Sequence, residues 1–384
     1  MRVLFGVSSV GLGHVRRSIA IAKGLRDLGN FEIEWVSSEP GISLISGCGE
    51  RVIPVSKELT SLSRAMEEGV MNGRLDDMSK VARKSSNIAK QNYSILKKHL
   101  VEYDVIVQDE FAETMFSFMW DKKPVLPSRK AIVTDYYRFK TFSRNPIDKV
   151  VMWYANRMLA RVYRNSSVRI FADDLDSIPE RLRSSAQDEF EIVGPIVGEA
   201  PKESRANLRK KLFPYLKGDK ILLITVGGTA TGKALLDFVV SNSNEITNTL
   251  GMSIVLLLGS RVERSIYPED SEILSFVPFT PNTLEFFKAA DCVVTQAGAS
   301  TLNEVASIGT PCVSVPISNH WEQEANAQRY RKKFGFGIVN YSSLDFVSFT
   351  RAVQKSMKSE YEPADFRKGV ERSARLIFDL AEGT

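Results

Sequence analysis

Residues 295–326 read TQAGASTLNEVASIGTPCVSVPISNHWEQEAN, and this stretch is the most informative of the chain. The apolar run at 292–294 before it predicts a short buried strand, and the small residues 297–301 let a backbone pass close to a ligand. The pattern then predicts a helix over 301–307 and a second strand over 312–315. We expect a polar loop after that strand, which carries His320, Glu322, Gln323 and Asn326. A strand, a small-residue turn, a helix start and another strand are how an α/β sheet builds a ligand site.

The same order of elements opens the chain and returns in its second half. Residues 2–7 predict a buried strand, 8–14 a glycine-bearing turn and 16–28 a helix. Residues 221–226 predict another such strand, and 227–232 another glycine turn. We therefore predict an α/β protein of two doubly wound Rossmann-like domains that face a shared cleft.

The 384 residues suffice for two domains of ordinary size. We place the N-terminal domain at 1–194 and the second at 200–365, because Gly194-Pro195 and a polar segment interrupt the pattern there. The C-terminal helix, at about 366–384, has an apolar face that could pack back on the N-terminal domain.

Composition limits the classes of partner. Hydrophobic residues make up 43% and charged residues 25% of the chain, as in soluble globular proteins, and a net charge of +5 is too small to indicate nucleic acid. The three cysteines lack metal-ligand spacing. No apolar run approaches the roughly 18–20 residues that span a bilayer. The N-terminal apolar run is followed too early by basic residues to be a signal peptide. We expect a cytoplasmic protein.

Residues 138–169 hold eight basic residues and one acidic residue, with aromatic and aliphatic residues between them. A basic amphipathic helix of this kind can lie on an anionic membrane surface as a peripheral contact. It can equally be a domain helix with an apolar inner face and a solvated basic outer face. The sequence leaves both interpretations open.

Cofactor and metal motifs are incomplete. The turn at 11–16 matches only the first part of a dinucleotide fingerprint, since Arg16 stands where a small residue belongs, and we discount NAD and FAD. Gly227-x-x-x-x-Gly232-Lys233 is close to the phosphate loop of NTPases, but Ala234 lacks the hydroxyl that would hold magnesium. We expect no metal and no cofactor.

Taken together, the motifs resemble glycosyltransferases of the two-Rossmann-domain GT-B type, and among them the MurG-like group that transfers sugars from UDP-sugars. Four segments carry the resemblance: Gly11-Leu12-Gly13-His14, Gly227-Gly228-Thr229-Ala230-Thr231-Gly232, Ala297–Glu304 and Glu322-Gln323-x-x-Asn326-Ala327.

The resemblance implies roles for these residues in a reaction whose co-substrate is a UDP-sugar. Glu304 would bind the ribose hydroxyls, and the backbone of Phe276 and Val277 would contact the uracil. The donor diphosphate would be bound by Gly13, Gly228, Thr229, Gly298, Ala299, Ser300 and Thr301. The donor sugar would be bound by His320, Glu322 and Gln323. His14 would lie near the reacting centre, as the base toward the acceptor or as a phosphate contact.

Asp109 and Asp135 end two predicted strands and are our acceptor-side candidates. The expected reaction is an inverting, metal-independent transfer of a hexose or N-acetylhexosamine from a UDP-sugar. The acceptor is open, and a lipid-linked one is a candidate. One alternative is a UDP-sugar epimerase or hydrolase, which would need further carboxylates such as Glu110. The other is a non-catalytic nucleotide-sugar binding protein or a phosphate-loop NTPase.

Overall fold

The computed structural model divides the chain into two units, each built around a parallel six-stranded sheet. It describes the chain apart from residues 64–69, 72–73, 76–77, 140–145, 217, 228–231, 260–261, 360 and 384. The first unit comprises Met1–Gly69, Asp77–Gly198 and Phe366–Thr384, and the second comprises Val70–Asp76 and Glu199–Asp365.

The first unit alternates strands and helices from its start. Its strands are β1 (Arg2–Val7), β2 (Glu32–Val36), β3 (Val105–Asp109), β4 (Arg129–Thr134), β5 (Val168–Phe171) and β6 (Glu191–Ile192). Its helices up to β6 are α1 (Gly13–Leu28), α2 (Gly41–Gly47), α3 (Met78–Leu96), α4 (Ala112–Met115), α5 (Pro146–Arg164) and α6 (Glu180–Glu189). The central strands are buried on both faces, which explains their continuous apolar sequences.

The strand order of the first sheet is β2-β1-β3-β4-β5-β6, with every pair parallel. The chain leaves β1 toward β2 on one side and returns to β3 on the other. The order therefore reverses between β1 and β3, and open α/β sheets bind ligands outside the carboxyl ends of the strands at such a switch point.

The second unit repeats this plan. Its sheet is formed by β7 (Ile221–Thr225), β8 (Ser253–Leu257), β9 (Leu274–Val277), β10 (Cys292–Thr295), β11 (Cys312–Ser314) and β12 (Gly337–Ile338). Its helices are α7 (Arg205–Leu212), α8 (Lys233–Ser241), α9 (Ser243–Leu250), α10 (Thr283–Ala289), α11 (Ala299–Ile308), α12 (Trp321–Phe334) and α13 (Phe346–Ser356). Two short antiparallel strands, Val70–Met71 and Arg74–Leu75, are also assigned to this unit.

The strand order of the second sheet is β9-β8-β7-β10-β11-β12, the order of a Rossmann fold. Its switch point lies between β7 and β10. The glycine turn at 227–232 follows β7, and the turn Gln296-Ala297-Gly298 follows β10. The two small-residue segments found in the sequence thus follow adjacent strands.

The last helix, α14 (Arg367–Glu382), belongs to the first unit and packs on α1, β4 and β5. Small residues permit the close approach, since a Cβ on Gly24 would lie 3.1 Å from the Cβ of Ala374. The chain therefore leaves the first unit after β6 and returns to it at its end.

Helix α5 forms within the basic segment 138–169, with an apolar inner face in the core of the first unit. Its outer face is not simply basic, because Ile147, Val150, Trp153 and Tyr154 are 49–64% exposed there. Asp148, the segment's one acidic residue, is buried. Among the described helices, none is long and apolar enough to cross a membrane.

One element predicted from the informative stretch is wrong. Glu322, Gln323 and Asn326 were expected in a polar loop, but helix α12 already begins at Trp321. The loop is confined to a few residues after β11, and His320 is the N-cap of the helix. Polar residues in the first turn of a helix resemble a loop in sequence, because they satisfy the same unpaired backbone groups.

Candidate functional site

An ionic cluster lies at the switch point of the first sheet, where β1 and β3 end. The turn after β1 leads into α1, whose first two residues are Gly13 and His14. β3 ends at Asp109, and His14 Nδ1 lies 3.1 Å from Asp109 Oδ1. Asp135 follows the end of the neighbouring strand β4. Three titratable residues singled out in the sequence therefore meet at one edge of the sheet.

Arg17 links the members of this cluster, although no sequence motif identified it. Its buried guanidinium donates to both carboxylate oxygens of Asp109, with Nε 2.8 Å from Oδ2 and Nη2 2.5 Å from Oδ1. Nη1 donates to Asp135 Oδ2 at 2.7 Å, and Nη2 lies 3.3 Å from Glu110 Oε1. Arg17 follows His14 by three residues and so shares its face of α1. That spacing is the sequence signal that could have revealed it.

Glu110 lies against His14, although the sequence suggested it only for the epimerase or hydrolase alternative. Its Oε2 is 3.4 Å from His14 Nε2. Its Oε1 accepts hydrogen bonds from Thr134 Oγ1 at 3.1 Å and from the backbone N–H of Asp135 at 3.2 Å. The residue has a φ of 50°, a left-handed conformation that is uncommon outside glycine and clusters at functional sites.

The cluster changes the proton affinity of its members. Burial lowers the pKa of His14, but the carboxylates of Glu110 and Asp109 outweigh burial and raise this pKa to about 9. Burial raises the pKa of Asp109, yet the Arg17 guanidinium brings it down to about 2. Burial and the neighbouring Asp135 raise the pKa of Glu110 to about 8. Arg17 likewise lowers the pKa of Asp135 against the effect of burial.

The donor atoms of His14, Asp109 and Glu110 lie within 4.8 Å of one another, a spacing that could hold a metal ion. However, Arg17 Nη2 is 2.5 Å from Asp109 Oδ1, 2.9 Å from His14 Nδ1 and 3.3 Å from Glu110 Oε1. A permanently charged guanidinium therefore already occupies the place between them. We interpret the three residues as part of an ionic cluster and assign no metal to them.

In the second unit, the turn between β10 and α11 has the geometry of an anion site. Ala297 has a φ of 65°, and Gly298 is the N-cap of α11. A Cβ added to Gly298 would meet no atom within 4 Å, so the space beside this backbone is open. Ala299, Ser300 and Thr301 form the first turn of the helix, whose N–H groups and dipole favour a negative charge.

Gln296 lies just before α11 and beside Gly232 at the start of α8, and sequence motifs did not identify it. It is 4% exposed, and its Nε2 has no hydrogen-bond partner among the described residues. Its Oε1 would lie 2.9 Å from a Cβ on Gly232, the N-cap of α8. The starts of α8 and α11 thus flank one buried side-chain amide. Gly228 and Thr229, which were predicted to contact the diphosphate, lie outside the described residues.

Glu304 lies in α11, one turn beyond the helix start, and is 5% exposed. Its Oε2 accepts a hydrogen bond of 3.0 Å from Thr283 Oγ1, at the start of α10. The carboxylate of a glutamate can accept hydrogen bonds from the hydroxyls of a ligand as it does from Thr283. The position is compatible with the ribose contact that the sequence predicts.

Phe276 and Val277 end the edge strand β9. The Phe276 N–H donates to Asp270 Oδ1 at 2.9 Å, and the Val277 carbonyl accepts from the N–H of Leu258 at 2.9 Å. These two backbone groups therefore already have partners, and a uracil contact at this strand would have to use other groups. The Phe276 ring lies beneath the Arg264 guanidinium, 4.5 Å from its centroid.

The residues expected to bind the sugar lie at the start of α12. His320 Nδ1 accepts from the backbone N–H of Gln323 at 3.4 Å, and Gln323 Oε1 accepts from the N–H of Ile317 at 2.9 Å. Burial lowers the pKa of His320 to about 4, so its ring is neutral at physiological pH. Since Nδ1 is an acceptor, the ring proton is on Nε2. Glu322 lies half-buried in the same first turn.

Comparison with known proteins finds a family match over most of the second unit and part of α14. Residues 221–376 match the glycosyltransferase family 28 C-terminal domain. A glycosyltransferase of Methanopyrus kandleri is 27% identical over 232 residues, which are 58% of this chain and 63% of that protein.

A second relative, from Rhodococcus erythropolis, is named UDP-N-acetylglucosamine--N-acetylmuramyl-(pentapeptide) pyrophosphoryl-undecaprenol N-acetylglucosamine transferase. It is 28% identical over 215 residues, which are 52% of this chain and 55% of that enzyme. In both alignments the chain spans less than two thirds of the relative's length.

Among solved structures, the glycotransferase of kitacinnamycin resembles this chain with a TM-score of 0.60 and 15% identity. The match covers 100% of this chain and 97% of that one. At this identity the likeness concerns the fold, and it confirms the predicted two-domain GT-B class.

Proposed function

We propose that this chain, which is a MurG-like glycosyltransferase of the GT-B fold, transfers a hexose or N-acetylhexosamine from a UDP-sugar to a hydroxyl acceptor. The transfer inverts the anomeric configuration and uses no metal. The observation that carries this proposal is the open turn at Gly298, because a helix start with free backbone space beside it suits a diphosphate.

The donor binds to the second unit. The diphosphate lies against the N–H groups of the first turn of α11, and the buried amide of Gln296 supplies a further donor beside it. Glu304 accepts hydrogen bonds from the ribose hydroxyls. A UDP-sugar is favoured as the donor because the Rhodococcus relative is named as a transferase that uses UDP-N-acetylglucosamine.

The leaving group sets the electrostatic demand of the reaction. When the bond to the anomeric carbon breaks, negative charge grows on the β-phosphate of UDP. Helix N–H groups that already point at this oxygen stabilise the charge without rearrangement. The attacking hydroxyl must lose its proton at the same stage, and the titratable cluster around His14 provides the acceptor for it.

The acceptor is best explained as lipid-linked, and helix α5 supports this part of the proposal. Ile147, Val150 and Tyr154 repeat at helical spacing on its outer face, with Trp153 beside them. The exposed basic residues of the same helix are Lys149, Arg157, Arg161 and Arg164. Apolar side chains between cations suit an anionic lipid surface. We accordingly place the enzyme in the cytoplasm, against the inner face of the membrane.

Calorimetry with UDP tests the donor assignment. We expect UDP to bind without magnesium. We expect Glu304→Gln to lower the affinity for UDP by about tenfold, because the substitution removes one charged hydrogen-bond acceptor. Glu245→Gln, an exposed substitution on α9, is the matched control and should leave the affinity unchanged. Magnesium-dependent ATP turnover in place of UDP binding would contradict the proposal.

A turnover assay tests the reaction class. UDP-N-acetylglucosamine, UDP-glucose and UDP-galactose are supplied with lipid and soluble acceptors, and the products are identified by mass spectrometry. A glycosylated acceptor supports the transferase. Formation of an epimerised UDP-sugar, or of free sugar alone in the presence of every acceptor, would instead support the epimerase or hydrolase alternative.

A further inference from the structure

We infer that the carboxylate of Glu110, rather than the imidazole of His14, takes the proton from the acceptor hydroxyl. This inference rests on the proposed transferase reaction and names a residue for its proton transfer. Neither the relatives' names nor the sequence motifs point to it.

Both ring nitrogens of His14 face protein groups. Arg17 Nη2 lies 2.9 Å from Nδ1, and Glu110 Oε2 lies 3.4 Å from Nε2. A guanidinium can only donate, so in a neutral ring that accepts from Arg17 the proton is on Nε2 and points at Glu110. In the charged ring both nitrogens carry protons, and neither can act as a base.

The remaining arrangement places the ring proton on Nδ1, which then donates to Asp109 Oδ1 at 3.1 Å. The Nε2 lone pair would then face Glu110 Oε2, and this pairing is favourable only when Glu110 itself holds a proton. In every protonation state, Nε2 is therefore paired with Glu110. The carboxylate is then the member of the pair that is left to accept a proton from a substrate hydroxyl.

Glu110 has the geometry of a base. Its Oε1 accepts from Thr134 Oγ1, the Asp135 N–H and Arg17 Nη2, which together fix the plane of the carboxylate. Its Oε2 lies 3.4 Å from His14 Nε2 and keeps acceptor capacity for a hydroxyl. The side chain of Glu110 is 10% exposed and that of His14 is 16% exposed.

The two aspartates of the cluster are less suited. Asp109 is fully buried, and its oxygens accept from Arg17, His14 and Ser18 Oγ. Asp135 Oδ2 is bound by Arg17, which holds its pKa below the ordinary value and makes it a weak base. A general base works best with a pKa near the operating pH, which the pKa of Glu110, raised to about 8, satisfies.

Further charged and titratable groups surround Glu110 from every element packed against it. They are His14 and Arg17 on α1, Asp109 at the end of β3, Asp135 and Tyr136 after β4, and Tyr163 on α5. The two tyrosines are neutral at physiological pH, because burial raises the pKa of each well above its ordinary value. The proton balance of the site is therefore set by Glu110 and His14.

The step is then complete in atoms and charge. The acceptor O–H bond breaks and its proton moves to Glu110 Oε2, while the acceptor oxygen forms a bond to the anomeric carbon. The bond from that carbon to the β-phosphate oxygen breaks, and its electron pair leaves with UDP. His14 acts as a positioning residue, because Nε2 holds Oε2 in place.

The kinetic test compares Glu110→Gln, Glu110→Asp and His14→Gln, using UDP release from UDP-N-acetylglucosamine with octyl β-D-glucoside as acceptor. We expect Glu110→Gln to lower kcat by roughly 10²–10⁴-fold with the donor KM within about threefold, and to remove the rise of kcat with pH near 8. Glu110→Asp should restore part of kcat. His14→Gln should cost about tenfold or less and keep a pH-dependent kcat.

Loss of nearly all activity in His14→Gln, with Glu110→Gln within about threefold of wild type, would overturn the inference. A second measurement needs no turnover and so separates this inference from the proposed function. In NMR titrations of protein labelled at Glu and His, Glu110 should titrate near pH 8, and Glu110→Gln should move the His14 titration toward pH 6.5. A Glu110 that titrates below about pH 5 is too weak a base, and this result alone would refute the assignment.

Discussion

Gly232 and Gln296 are in contact across the switch point of the second sheet: a Cβ on Gly232 would lie 2.9 Å from Gln296 Oε1. The same Cβ would lie 2.2 Å from the Cβ of Val226, far inside van der Waals contact. Position 232 therefore requires glycine because a side chain has no space there. The backbone does not require it, since any residue can adopt a φ of −88°.

This contact predicts that Gly232→Ala destabilises the protein. We expect a loss of about 1–3 kcal/mol in the free energy of unfolding, the range for overpacking a buried position. Urea denaturation measures it. Gly298→Ala is the matched control, because a Cβ there meets no atom within 4 Å and φ is −63°. Equal stability of both variants would contradict the packing argument.

Gly298→Ala should instead reduce UDP binding. If the diphosphate approaches this backbone closely, a methyl group occupies part of its space, and we expect a loss of about tenfold in affinity. Calorimetry with UDP measures the effect, while urea denaturation shows that the fold is intact. An unchanged affinity would show that the diphosphate does not contact this turn.

Arg17→Met should destabilise the first unit strongly. It removes the guanidinium that neutralises Asp109 and Asp135, and leaving buried carboxylates without their partner costs about 3–5 kcal/mol. The control is Arg51→Met, whose side chain is 74% exposed in its contact with Glu34 and whose loss should cost at most about 1 kcal/mol. Comparable losses from the two substitutions would argue against the cluster as a stabilising unit.

Stability should fall between pH 7 and pH 9. The pKa of His14 is about 9 in the fold against 6.5 as a free side chain, so its contribution is complete below pH 6.5 and disappears as pH rises through 9. Glu110, with a pKa of about 8 against 4.5, changes in the same direction: folding favours its protonated form, and that contribution disappears as pH rises through 8.

Thermal unfolding at pH 7, 8 and 9 measures this decline in Tm. A Glu110→Gln, His14→Gln double variant lacks both titrations, and its Tm should vary less over the same range. A wild-type Tm that rises from pH 7 to pH 9 would have the wrong sign for both groups.

Val150→Ser with Trp153→Ser should weaken membrane binding through α5. Each substitution removes an exposed apolar side chain from the proposed lipid contact, and we expect at least a tenfold lower partition coefficient. The assay is sedimentation with vesicles of phosphatidylglycerol and phosphatidylcholine. Val347→Ser, on the second unit and 56% exposed, is the control and should bind like wild type. If the wild type binds equally well to vesicles of pure phosphatidylcholine, the basic residues of α5 do not contribute to membrane binding.

Much of the fold was predictable because the central strands of both sheets are buried on both faces. Such strands appear in sequence as continuous apolar runs, as at Val3–Val7 and Leu222–Thr225, and glycine turns mark where they end. The segment at α12 was misjudged, since Glu322 and Gln323 are polar residues in a helical first turn and no local pattern separates that from a loop.

The sequence by itself determined the fold class and the turns that follow β1 and β10, because strand periodicity and turn chemistry are local properties of the chain. It also placed His14, Asp109 and Asp135 at strand ends. Only the tertiary structure decided that these three meet around Arg17, and that Glu110 lies against His14 Nε2. Such contacts join residues about a hundred positions apart, and the parallel pairing of β1, β3 and β4 alone brings them together. The sequence also could not reveal that Gln296 is buried beside Gly232, because this contact depends on the pairing of β7 with β10.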